Sequence, residues 1–292
     1  MKVSASAILL GAALGVSAHP SGHNAHHNAH RRDFVVANKP TTTVTQYVTA
    51  AAVVAAAKAT STTAEAAAST TAGSSDDSSS EYVEFCGGSS SKRATLEEIA
   101  YTGNIGTSDD YGCNMMVVSK SIASQYDYTT TFNNDVDEDQ SCVCFNKIGP
   151  DGKSINGFFN GNEAISFTLP ASGSKVVAFE ANSQGGCVCG VGEVPLTTIG
   201  EFAGTWLEFD FGNTSNDDWS GADASCLVSA AWKEDIPALK VCGAGTCSTI
   251  YSGGEGENAY LGGMEAEDGV GLNLAPGKVR LTLTVGAFTG SS

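Results

Sequence analysis

The region 81–292 predicts an all-β fold, a disulfide-stapled β-sandwich with one or two short helices. Three observations point there. Short apolar runs recur at regular spacing, turn residues part them, and cysteines fall in two Cys-Val-Cys triplets. Its length of about 200 residues suits one all-β domain.

The predicted strands run in order along the chain: 114–119, 126–132, 142–148, 155–159, 164–169, 175–181, 187–191, 205–211, 224–230, 238–242, 248–251 and 278–285. Gly149-Pro150-Asp151-Gly152 is the clearest turn between them, since proline presets φ and glycine accepts a positive one. Helical signals are limited to 95–101 and 257–265.

Nine cysteines are present. In a strand, residues i and i+2 share a face, so each triplet presents two sulfurs together. Antiparallel facing strands then give the pairs Cys142–Cys189 and Cys144–Cys187. Cys242 and Cys247 bracket Gly-Ala-Gly-Thr and pair locally, which leaves Cys113 for Cys226. Cys86 is lost by cleavage at Lys92-Arg93, pairs between chains or stays free. A four-thiolate zinc site is the rival for the triplets, but zinc ligands favour wider spacing and secretion favours disulfides.

The residues before 81 read as processing and spacer segments. Residues 1–18 form a signal peptide: Lys2 precedes the apolar stretch 7–14, and a small-residue site ends at Ala18. No later segment is apolar and long enough to span a bilayer as a helix. Residues 19–32 carry all five histidines (His19, His23, His26, His27 and His30) and end at Arg31-Arg32, a dibasic site that makes them a pro-segment. A retained leader would instead put His19 at the N-terminus as a copper chelator. Residues 33–80 read as a disordered linker, because Ala, Ser and Thr fill 29 of the 40 positions from 41 to 80. Localisation is therefore expected to be extracellular, with the product either soluble or held in the cell wall.

From Ala94 onward there are 8 Lys+Arg against 26 Asp+Glu, a formal charge of −18. That excludes nucleic acid and disfavours anionic membranes as partners, and suits a soluble monomer. No cofactor is implied. The missing histidines exclude most base-activated nucleophiles, and no Gly-x-Ser-x-Gly occurs.

One strand carries candidate chemistry. Along 205–211, Leu207, Phe209 and Phe211 face the core, while Trp206, Glu208 and Asp210 face outward. Two carboxylates about 7 Å apart at Cα beside an indole suit an acid–base pair, or sugar binding, and Asp223 after Trp219 supplies a third acid. A solvated strand face has the same alternation and is the plainer account. Asp135, Asp137 and Asp139 resemble the opening of a calcium loop, yet the sixth position is Gln140 and the twelfth Asn146, so the EF-hand pattern fails. Asn213-Thr214-Ser215 is an N-glycosylation acceptor.

The blocks 101–106, 146–152 (Asn-Lys-Ile-Gly-Pro-Asp-Gly), 177–185 and Thr205-Trp206 with Glu208 to Phe211 occur in order. Trp219-Ser-Gly221 with Asp223, Lys240-Val-Cys242 with Cys247 to Ile250, and Pro276 to Leu283 follow. Together they resemble the Asp f 4 family of secreted fungal allergens across about residues 101–286. Two departures are the Cys-Val-Cys triplets and Gly204, where the family can carry a cysteine. The resemblance implies an extracellular, cell-wall-associated protein bound by host IgE, with no enzymatic activity. The Glu208–Phe211 block with Asp223 is also similar to thaumatin-like sandwiches, whose acidic cleft engages β-glucan. That implies noncatalytic β-glucan binding through Trp206, Glu208, Asp210, Trp219 and Asp223. The alternative is a carboxylate-dependent glycoside hydrolase acting on wall glucan.

Overall fold

The structure is a computed structural model that describes residues 81–88 and 102–286. The signal peptide, the pro-segment, the linker, the cut at Arg93 and the predicted helix 95–101 lie outside the described residues.

Two sheets form the domain. Its strands are β1 (Met115–Val118), β2 (Tyr128–Asn134), β3 (Gln140–Asn146), β4 (Ile165–Leu169), β5 (Ser174–Phe179), β6 (Ser183–Val191), β7 (Trp206–Asn213) and β8 (Trp219–Ser225). After helix α1 (Leu227–Trp232) come β9 (Ala238–Gly243), β10 (Thr246–Ile250), β11 (Gly256–Glu257), β12 (Leu272–Leu274) and β13 (Val279–Gly286). One sheet has the order β1-β5-β2-β13-β9-β10-β11 and the other β12-β8-β7-β6-β3-β4. β13 runs parallel to β2 and antiparallel to β9.

The main core draws on both sheets. It contains Phe132, Val177 and Leu281 from one, and Leu207, Phe209, Phe211 and Ala224 from the other. β13 shows how sequence drives this: Val279, Leu281, Leu283 and Val285 are buried, while Arg280 and Thr282 between them are exposed. Phe179, Phe209 and Phe211 form a packed aromatic trio, with ring centroids 4.7–5.1 Å apart.

The triplet strands β3 and β6 lie antiparallel in register, with Cys142 opposite Cys189 and Cys144 opposite Cys187. Both pairs are bonded, and Cys242 bonds Cys247 across β9–β10. The pairing Cys113–Cys226 is corrected: Cys113 bonds Cys86, and Cys226 is a buried free thiol. The reason is positional. Cys226 sits just before α1 inside the core, whereas Cys113 lies near residues 81–88. There Tyr126 stacks on Tyr82 and its hydroxyl donates to Val83 O. Cys86 is thereby a fixed part of the domain.

Three predicted elements differ. Residues 155–159 form turns, because Phe158 is drawn into a second apolar cluster and Gly157 lies against the backbone of Asn146. The strand expected at 224–230 ends at Ser225 and gives way to α1, where Leu227, Val228 and Ser229 are all buried and alternation stops. The helix expected at 257–265 is a chain of turns, with Asn258 and Gly263 at positive φ.

Candidate functional site

β7 places Leu207, Phe209 and Phe211 in the core and Trp206, Glu208 and Asp210 on its outer face. That outer face is not open. A second cluster, built from Val143, Phe145, Phe158, Val188, Phe202, Trp206 and Val228, lies over it. Trp206 meets Phe145 edge-on at 5.0 Å and Phe158 at 5.9 Å. α1 is held onto this layer by Ser229, whose hydroxyl donates to Gly204 O and accepts from Gly204 N.

Two candidate acids meet beneath this layer. Glu208 and Asp223 are direct partners in the β7–β8 register, and both have 0 % exposure. Asp210 is the next outward residue, paired with Gly221, and is nearly buried. Trp219 stands beyond a register shift, opposite Asn213, half-buried and away from the pair. The structure therefore brings Glu208, Asp223, Asp210 and Trp206 together on one face and leaves Trp219 out.

Glycines close the two flanks. Gly186 lies between Phe145 and Glu208 in the strand register, and a Cβ there would come within 2.7 Å of the Phe145 ring. On the other side Gly271, at φ +105, passes so close to Asp223 that a Cβ would lie 2.6 Å from its Cβ. Gly185-Gly186, just before the predicted strand 187–191, is the pattern that could have pointed to close approach, since the structure extends that strand back through both. Phe145, Tyr260 and Gly271 carry no comparable signal.

Burial dominates the electrostatics. It pushes the Glu208 carboxyl up to about 8, and the Ser225 hydroxyl offsets part of this without reaching hydrogen-bond geometry. Asp223 is raised well above its ordinary value, first by burial and then by Glu208. Burial, then Asp223, also raises the Tyr260 phenol. All four oxygens of the Glu208–Asp223 pair and Trp206 Nε1 are buried without a hydrogen-bond partner. By contrast the buried Asn114 amide donates to Asn146 Oδ1 and Ser183 Oγ at 2.9 and 2.8 Å. A glycosidase needs its two carboxyls on either side of a substrate, with water admitted. This pair admits neither.

The remaining candidates lie elsewhere on the domain. Asp135, Asp137 and Asp139 lie on the exposed turn between β2 and β3. There Asp139 accepts from Ala171 N and Asp137 from the Ser172 hydroxyl. Among the described residues no three His, Cys, Asp or Glu side chains group as metal ligands. Asn213 is buried. Its Nδ2 donates to Asp210 Oδ2 at 2.5 Å, and its Oδ1 accepts from the Ser215 amide and hydroxyl. A glycan would occupy that same nitrogen. Protein secreted from a eukaryotic host is therefore expected to carry no N-glycan at Asn213. Intact mass unchanged by peptide N-glycosidase treatment would verify this, and a shift at the 213 peptide would refute it.

Comparison with known proteins places the chain. The family profile described as "Allergen Asp f 4-like domain" matches residues 113–285. "Allergen Asp f 4" from Aspergillus fumigatus is 35% identical over 191 residues, covering 64% of this chain and 58% of that protein. The chain thus spans less than two thirds of its relative's length. A solved structure, the protein elicitor MoHrip2 from Magnaporthe oryzae, aligns with a TM-score of 0.33 and 16% identity over 53% of this chain and 98% of that one. With its matched region spanning both sheets, the chain belongs to the Asp f 4-like allergen family.

Proposed function

We propose that this protein is secreted, catalyses no reaction, and acts in the extracellular space as a target of recognition, host IgE included. The observation that carries the reading is the closure of the Glu208–Asp223 pair under the Trp206 and Phe145 layer, which denies substrate to the acid–base candidates of the sequence. Secretion is supported by the leader at 1–18 and by four disulfides. Association with wall β-glucan, within this reading, belongs to another surface. A groove of about 450 Å³ on the β9–β10–β13 face is lined by Asp135, Lys240, Thr249, Tyr251, Glu257 and Thr284. Hydroxyls, carboxylates, one ammonium and one aromatic ring suit a neutral polyhydroxylated chain.

Incubation with insoluble β-glucan between pH 4 and 8 is the test. We expect retention on the polysaccharide with no reducing sugar released, and retention weakened several-fold by K240A/E257Q. Sugar release that disappears in a folded Glu208→Gln variant would overturn the noncatalytic reading. Retention untouched by K240A/E257Q would overturn the groove.

A further inference from the structure

Buried as they are, Glu208 and Asp223 touch no partner at the surface, and their surroundings determine what they do. They are neighbours across one strand pair, roughly 5 Å apart at Cα. Neither has any exposure, and none of their four oxygens receives a hydrogen bond. Two negative charges in such a place, with no hydrogen bond made to either, are prohibitively costly.

The Ser225 hydroxyl offsets only part of that cost for Glu208, and no positive charge does so. On β7 the next outward group is Asp210, another acid. Tyr260 approaches from the segment after β11, and Asp268 acts on Tyr260 from the same segment. Ser225 and the Cys226 thiol end β8. β6 and β3 contribute Gly186, Val188 and Phe145, none of which titrates. Among the described residues no lysine or arginine bears on either carboxyl. Every titratable neighbour is an acid.

A proton resolves both difficulties at once. It removes the charge and turns each carboxyl into a donor as well as an acceptor. Two neutral carboxyls at this spacing can satisfy one another. We propose that Glu208 and Asp223 are a proton-binding pair: the native domain holds a proton on each, unfolding releases both, and the fold is therefore tightest in acid and loosens as alkalinity rises. The proposal is independent of what recognises the surface.

The sign follows from linkage. Unfolded carboxyls titrate near 4, whereas both folded ones are raised, Glu208 to about 8. The pair's contribution is thus fully present below about 4 and is lost as pH climbs toward 8 and beyond. Each retained proton raises the unfolding constant about tenfold per pH unit in that window, and two raise it about a hundredfold. Few other groups obscure it. Residues 31–292 contain no histidine, and Asp151, held down to about 2 by the Ser154 hydroxyl and amide, acts only at lower pH.

Urea unfolding of the full chain at pH 5, 6, 7 and 8, with and without calcium or EDTA, tests it against E208Q/D223N, whose amides mimic the neutral pair. The wild-type unfolding constant should rise by one to two decades per pH unit, and the variant's slope should be shallower by that amount. Equal slopes would overturn the proposal. So would wild-type protein stabilised by calcium and weakened by EDTA, which would make the pair a cation site. Infrared spectra of the wild type alone give a second readout should the variant not fold. The carbonyl stretch of a protonated carboxylic acid should persist at pH 7, and its absence there would equally sink the idea.

Discussion

Removing both bridges between β3 and β6 is expected to cost about 6 kcal/mol, while removing either alone costs about 2 kcal/mol. The two bonds are rungs of one ladder. Cys142–Cys189 spans 47 residues and Cys144–Cys187 spans 43 within it. In the chain-entropy account, the first closes a long loop, worth about 4 kcal/mol. Once it exists, the second closes only the short spans between neighbouring cysteines, worth about 2 kcal/mol. Either bridge therefore covers for the other. Urea unfolding of C142A/C189A, C144A/C187A and the fourfold variant measures this. With domain stabilities of roughly 5–15 kcal/mol, the fourfold variant should be at the edge of folding. Two single losses that add up to the fourfold loss would refute the redundancy. The four sulfurs are almost wholly buried in the main core, so truncation adds similar small packing losses to each variant.

These bridges were legible because a period-two pattern places both sulfurs of a triplet on one face, whatever the rest of the fold does. The inner face of β7 was legible for the same reason. Its outer face was not. Polar residues alternating with apolar ones are what any half-solvated antiparallel strand displays, and nothing local says that another layer will cover them. The cover comes from Phe158, Phe202 and Val228, which lie on three separate segments, two of them loops. Only tertiary packing brings them over Trp206. Cys226 misled in a different way. With Cys86 set aside, elimination gives Cys226 to Cys113; the structure instead bonds Cys113 to Cys86 and leaves Cys226 a buried free thiol. The strand-to-helix change after Ser225 was hidden because the short run Cys226-Leu-Val-Ser-Ala230 is compatible with either state.

Trp206→Ala is expected to destabilise the domain by about 3–5 kcal/mol, and Trp206→Phe by clearly less. The indole is 1 % exposed and packs on Phe145 and Phe158, so truncation leaves a large cavity that neighbours on two sheet strands and a helix cannot fill. Its Nε1 has no hydrogen-bond partner, so phenylalanine breaks no polar contact and only shrinks the ring. The same cavity opens a route for water toward Glu208, two residues along the strand on the same face. Hydration lowers the cost of ionising the carboxyl pair, so the steep pH dependence of unfolding should flatten in W206A and persist in W206F. A sugar platform would behave in the opposite way: an exposed indole can be truncated with little loss of stability and a large loss of binding. Urea midpoints of the three proteins at pH 5 and pH 8 separate the cases. A W206A midpoint equal to wild type would mean that the outer face of β7 is accessible, and the noncatalytic reading, which depends on its closure, would fall with it.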